Sequence, residues 1–229
     1  MANFSLETPV RVSRAGHYLD GAPVDLVQQL SYRSAVQGYA NDFLRWEGPL
    51  AASTGTGGWV CSATGTAAIV VKDSATNGVL RIATSAADND ATLLQLKGSG
   101  FKYRIGDKMW FEIRLAPGDA DDGEIFFGLG LEGTTAVPGT LPTDGFMFEK
   151  AEAGTKMDFH ARKNAVSTER TLIDTAAMAD DTFHTYAFYI NAAGDIAIYY
   201  DDVLQHTMLH TDTNIVDDED LSLYIGVQT

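Results

Sequence analysis

The sequence predicts an all-β, two-sheet sandwich preceded by an N-terminal arm. Side chains alternate with period two along residues 110–115 and 124–131, as half-buried strands require. Short runs of similar texture recur from about residue 60 onward, parted by loops of Gly, Asp, Asn and Thr. Beyond the arm no apolar repeat of helical period is sustained. Short strands without helices bury their apolar faces by stacking two sheets.

The organising stretch is FKYRIGDKMWFEIRLAPGDADDGEIFFGLGL, residues 101–131. In its first run Phe111, Ile113 and Leu115 share one face, and Trp110, Glu112 and Arg114 share the other. In its second, Ile125, Phe127, Leu129 and Leu131 oppose Glu124, Phe126, Gly128 and Gly130. The polar loop PGDADDG joins them, so the two runs read as a pair of core antiparallel strands. Phe111, Ile113, Phe127 and Leu129 are the expected core.

The chain of 229 residues, 45% hydrophobic with 11 Phe, 9 Tyr and 3 Trp, has ample material for one large β domain. A formal charge of −15 argues against nucleic acid, which selects clustered Lys and Arg, and against an anionic membrane surface. Cys61 is the only cysteine, so no intrachain disulfide forms. The start MANFSLETPVRV lacks a basic stretch before an apolar core, so synthesis and assembly in a cytoplasm are expected.

Residues 1–40 differ from the rest of the chain. They are nearly neutral, so most of the negative charge lies beyond them. Residues 9–12 and 17–23 suit a short hairpin, and 25–37 suit a weak helix with Asp25 as N-cap. The segment reads as an arm that docks outside its own core. Its expected partner-binding residues are Val10, Val12, Tyr18, Leu19, Val24, Leu26, Val27 and Leu30, apolar groups that need an external surface to leave water.

The sandwich is expected over residues 41–229. Three strands, 67–72, 78–84 and 91–96, precede the central pair, and Asn77-Gly78 marks a tight reversal between the first two. Six more follow at 145–150, 156–162, 170–173, 182–190, 195–200 and 221–227.

The phrases KMWFEIRL, EIFFGLGL, DGFMFEK, TFHTYAFYINAAGDIAIYYDDVLQHTM and LSLYIGVQT resemble the concanavalin A-like (laminin-G-like) jelly roll. More narrowly, they are similar to jelly-roll structural proteins of tailed bacteriophages, of the capsid decoration or cement type. The hairpin at Asp201-Asp202 stands where such domains carry Tyr-Val-Asp-Gly, with Asp202 in place of Gly. The phrase IGV near the end is normally followed by a closing strand. Here the arm, a neighbour or a longer chain would supply it.

The same sandwich hosts glycosidases, whose chemistry needs two carboxylates projecting into one groove. Asp119, Asp121 and Asp122 belong to a loop, and Glu124 shares its strand face with Phe126 and Gly128, so no catalytic residue is expected. The acids 119–122 and 217–220 read as hydrated loops, although both suit calcium by type. His206 and His210 lack the helix that would turn them onto one zinc ion. His160 and His184 read as outer-face residues, and Cys61 as a small buried one. No cofactor and no metal is expected. For sugar stacking, the available aromatics are Trp46, Trp59, Tyr103 and Tyr199.

What the resemblance implies is a non-enzymatic virion protein on the capsid surface. It would bind the major capsid protein, cement neighbouring capsomers, and form a homo-oligomer, either trimer or dimer. The alternative is a carbohydrate-binding, lectin-like module or a receptor-binding tail or fibre domain.

Overall fold

The computed structural model describes residues 3–13, 38–41, 53–54, 58–66, 68–72, 79–98, 100–120, 123–133, 141–152, 154–172, 177–212 and 215–229. Its strands are β1 (Asn3–Ser13), β2 (Gly38–Asn41), β3 (Ser53–Thr54), β4 (Trp59–Thr64), β5 (Ala68–Lys72), β6 (Val79–Ala83), β7 (Ala91–Leu96) and β8 (Met109–Pro117). They continue as β9 (Glu124–Leu131), β10 (Gly145–Lys150), β11 (Asp158–Lys163), β12 (Val166–Leu172), β13 (His184–Ile190), β14 (Ile196–Tyr200), β15 (Val203–Met208) and β16 (Leu221–Gln228). A single turn of 3-10 helix, His210–Asp212, follows β15.

Two antiparallel sheets form a sandwich. The first runs β15-β14-β13-β8-β1-β6-β5, with β2 beside β1; the second runs β12-β11-β10-β9-β16-β7-β4-β3. The expected central pair is divided between them. β8 pairs with β1 and β13, whereas β9 pairs with β10 and β16, so the two runs face each other across the core rather than along a ladder. Alternation specifies a buried face but not a hydrogen-bonding neighbour. The loop between the runs is long enough to cross between layers roughly 10 Å apart. Its Ala120 is buried, and the Ala120 N–H donates to Asp180 at 2.7 Å.

The first residues of the chain also depart from expectation. β1 lies inside the first sheet, between β8 and β6, and its later part also pairs with β2. Val10 sits opposite Asn41, and Val12 opposite Phe111 and Tyr39. The sandwich therefore reaches back across the boundary expected at residue 40, and Pro9–Val12 extends a sheet strand. Register against β8 shifts between Glu7 and Arg11, around Pro9. Proline has no N–H to give a ladder, so a bulge is the place a sheet can accept it. Of the expected docking residues, Tyr18, Leu19, Val24, Leu26, Val27 and Leu30 lie outside the described residues, as does the expected helix.

Inward-facing side chains of both sheets make one core. Phe111, Ile113, Phe127 and Leu129 are fully buried, as the alternation requires. An aromatic seam joins the layers. Phe111 stacks on Phe188 at 5.2 Å within the first sheet and meets Phe127 of the second at 6.5 Å. Phe127 lies 5.1 Å from Phe148 and 5.5 Å from Tyr186, and Phe159 lies 5.4 Å from Phe188. Each such pair adds about 0.5–1.5 kcal/mol beyond the burial of its area.

The β14–β15 connection is two residues long, with Tyr200 paired to Val203. Asp201 and Asp202 both take positive φ, 46° and 64°, as a hairpin of this length and twist demands. Asp201 holds the turn by accepting from the Thr185 N–H at 2.8 Å, while its other carboxylate oxygen meets His184 Nδ1 at 2.7 Å.

Candidate functional site

The loops and the two outer faces of the sandwich are where chemistry can be displayed. On the second sheet, the outer face carries Leu93 and Gln95 of β7, Glu124 and Phe126 of β9, Met147 and Glu149 of β10, Asp158 and His160 of β11, and Tyr224 of β16. Part of it is closed. Leu93, Phe126, Met147 and Tyr224 form a small second apolar cluster, with Leu141 packed against it. Phe126 lies flat over Gly226: a Cβ at Gly226 would stand 2.3 Å from the ring. The Tyr224 hydroxyl donates to the Leu131 carbonyl, accepts the Gly133 N–H at 2.7 Å, and lies 2.7 Å from the Gln95 amide. Burial pushes this phenol up to about 12.

Beside that cluster is a group of titratable side chains that single-strand reasoning missed. Glu149 sits opposite Asp158 and Phe126 in register, and its carboxylate reaches His160 Nε2 at 2.8 Å. Glu124, one pleat further along β9, has its carboxyl raised to about 7, first by burial and then by Glu149 and Glu152. The nearby Lys150 points inward, fully buried. Its ammonium donates to the carbonyls of Gly123 at 2.7 Å, Ala151 at 3.3 Å and Glu152 at 3.4 Å. Glu124 thus does have a carboxylate neighbour, on the adjacent strand instead of its own. Among the described residues no group of three or more His, Cys, Asp or Glu is placed to hold a metal ion.

The outer face of the first sheet is different in kind. Tyr189 of β13 pairs with Trp110 of β8, and Tyr199 of β14 comes alongside through Ala187. The Trp110 ring lies 5.6 Å from Tyr199 and 6.3 Å from Tyr189, each at 45°. All three rings are half-buried, with Ala187 and Ala197 leaving the surface between them low. Glu112 and Arg114 continue the same face along β8, and the Arg114 guanidinium lies 5.1 Å over the Phe183 ring. Burial, then Tyr189, raises the Tyr199 phenol.

The remaining sequence candidates separate clearly. Trp59 and Tyr103 are core residues, and Cys61 is buried with its thiol raised to about 11 by burial. Tyr199 reaches the surface; Trp46, Asp121 and Asp122 lie outside the described residues. His160 is on an outer face as expected, yet is 5% exposed. His184 instead shares the inward parity of Tyr186 and Phe188, at the sheet's end, where its ring lies 4.9 Å from Tyr200. The 217–220 acids are met by lysines. Lys163 reaches Asp217 at 2.8 Å and Asp218 at 3.2 Å, and Lys102 reaches Asp220 at 3.5 Å. The Lys163 hydrogen bond lowers the Asp217 carboxyl.

No protein-family model matches the sequence, and no curated protein matches it. Solved structures do. The carbohydrate recognition domain of Emp46p in its potassium-bound form superposes with a TM-score of 0.52 at 11% identity, covering 75% of this chain and 81% of that one. The Emp47p carbohydrate recognition domain gives 0.51 at 12% identity over 80% and 85% of the two chains. A Bacillus licheniformis β-glucanase gives 0.50 at 16% identity over 82% and 83%. The fold is a concanavalin A-like jelly roll. At such identities the likeness is one of fold, shared by binding domains and a glucanase alike.

Proposed function

We propose that this jelly roll is a carbohydrate-binding, lectin-like module that uses the Trp110, Tyr189 and Tyr199 surface. The observation that carries the reading is the meeting of three aromatic rings from three adjacent strands on one outer face. Rings held by a sheet are positioned at little entropic cost, and their faces stack on the apolar C–H face of a sugar. The phenol hydroxyls of Tyr189 and Tyr199 and the Glu112 carboxylate provide polar groups to orient it. The charge of −15 favours neutral glycans over sulfated or uronic ones. The names of the Emp46p and Emp47p domains agree with this class of ligand.

The role is binding without turnover. Glu124 has Phe126 and Gly128 as same-face neighbours on its own strand, and Glu149 is engaged by His160. A capsid decoration role, with a major capsid protein as partner, rests on the sequence phrases alone. Neither the Emp domains nor the glucanase is a phage protein.

The test is a titration of intrinsic tryptophan emission with neutral oligosaccharides. The parent should respond, and Tyr199→Ala and Tyr189→Ala, which leave the Trp110 reporter in place, should lose the response while remaining folded by circular dichroism. A parent that binds no neutral glycan, or variants that bind as well as the parent, would sink the reading.

A further inference from the structure

Five large hydrophobic side chains are strongly exposed among the described residues, and three fall within seven positions: Val203 at 60%, Leu204 at 52% and Leu209 at 50%. They lie on and just after β15, the last described strand at one end of the first sheet. Sheet-end strands invite pairing with another chain, and proteins blunt them with charge, proline, bulges or shortness. The other ends follow that rule. β12 carries Glu169 and Arg170, β5 carries Lys72, and β3 has only two residues. β15, with the sequence VLQHTM, has no charged residue in a chain of charge −15. Its one protection is the bulge at Gln205.

We infer that β15 is the contact edge of a two-fold dimer, in which a second copy of this chain continues the first sheet through an antiparallel β15–β15 pairing. Self-complementarity along the strand selects a second copy as the occupant. With the bulged Gln205 set aside and Thr207 near the axis, Leu204 of one copy stands opposite Leu209 of the partner subunit. Both lie on the outer face, in continuation of Tyr199, which is the register partner of Leu204. The pairing ends at Leu209, because His210 opens the 3-10 turn and its backbone N–H donates to Asp195 at 3.0 Å. No like charges oppose each other along the ladder. A strongly acidic chain can approach its copy closely only along such an uncharged strip.

Dimerisation does not depend on sugar binding, although a joined sheet would present two aromatic surfaces on one face and bind a repeating glycan with avidity. The experiment is sedimentation equilibrium of the full chain over a wide range of concentration. The parent should reach twice the monomer mass. Leu204→Lys should sediment as a monomer with unchanged circular dichroism, while Val166→Lys, at the charged β12 edge, should remain dimeric. The double variant Leu204→Cys with Leu209→Cys should give a covalent dimer on oxidation, because five residues of extended strand separate the two thiols too widely for a bridge within one chain. A parent monomeric throughout, a dimer that survives Leu204→Lys, or one abolished by Val166→Lys would each overturn the assignment. Absence of the covalent dimer would overturn the register.

Discussion

Glu149 and His160 meet at 2.8 Å on the outer face of the second sheet, one strand apart and almost out of solvent. Their contact places a carboxylate beside Glu124, whose own carboxyl burial raises to about 7.

Glu124 therefore makes stability fall as pH rises. Between its ordinary value of 4.5 and about 7, the unfolded chain releases the proton while the folded one keeps it. The folded state then binds more protons, so unfolding free energy declines through that window and is greatest below it. Glu124→Gln should remove this component of the slope. Melting temperatures of parent and variant across the window check it, and parallel curves would show that the carboxyl is solvated.

Phe127 lies at the centre of the aromatic seam, fully buried and in ring contact with residues of both sheets. Phe127→Ala should cost about 3–5 kcal/mol through lost transfer energy and a cavity that rigid strands cannot close. Denaturant unfolding would measure this, with a loss below about 1 kcal/mol refuting the packing.

Gly226 needs its missing side chain. Gly226→Ala drives a methyl into the Phe126 ring and should cost about 1–3 kcal/mol as an overpacked contact. Adding Phe126→Leu should recover part of that loss. A double-mutant cycle with strictly additive effects would mean the ring does not lie over the glycine.

Lys150 ties the Gly123 carbonyl before β9 to the Ala151 and Glu152 carbonyls that follow β10. Lys150→Met keeps much of the stem's packing but removes the donors, and should cost about 1.5–3 kcal/mol. Unchanged stability in thermal or denaturant unfolding would show that water replaces the ammonium.

Much of the fold was legible because strand alternation is a local property. Phe111 and Phe127 declare their burial by position relative to Glu112 and Phe126, whatever strand lies alongside. The tight turn at Asp201-Asp202 was expected from the resemblance alone, and the strand after it, β15, was not among the strands expected. Tyr199 could be named as a sugar-stacking aromatic, but Trp110 and Tyr189 could not be joined to it without the order β8-β13-β14.

The sequence by itself determined which side chains face inward, because the pleat alternates them irrespective of neighbours. It also determined an acidic surface and a sandwich rich in aromatic residues. Only the tertiary structure decided that β8 and β9 lie in opposite layers and that β1 enters the sheet between β8 and β6. The same strand order brings Glu149 to Glu124. Backbone hydrogen bonds are chemically alike on every strand, so a strand's partners are chosen by how all the layers pack together, and that choice is not written in any one stretch of chain.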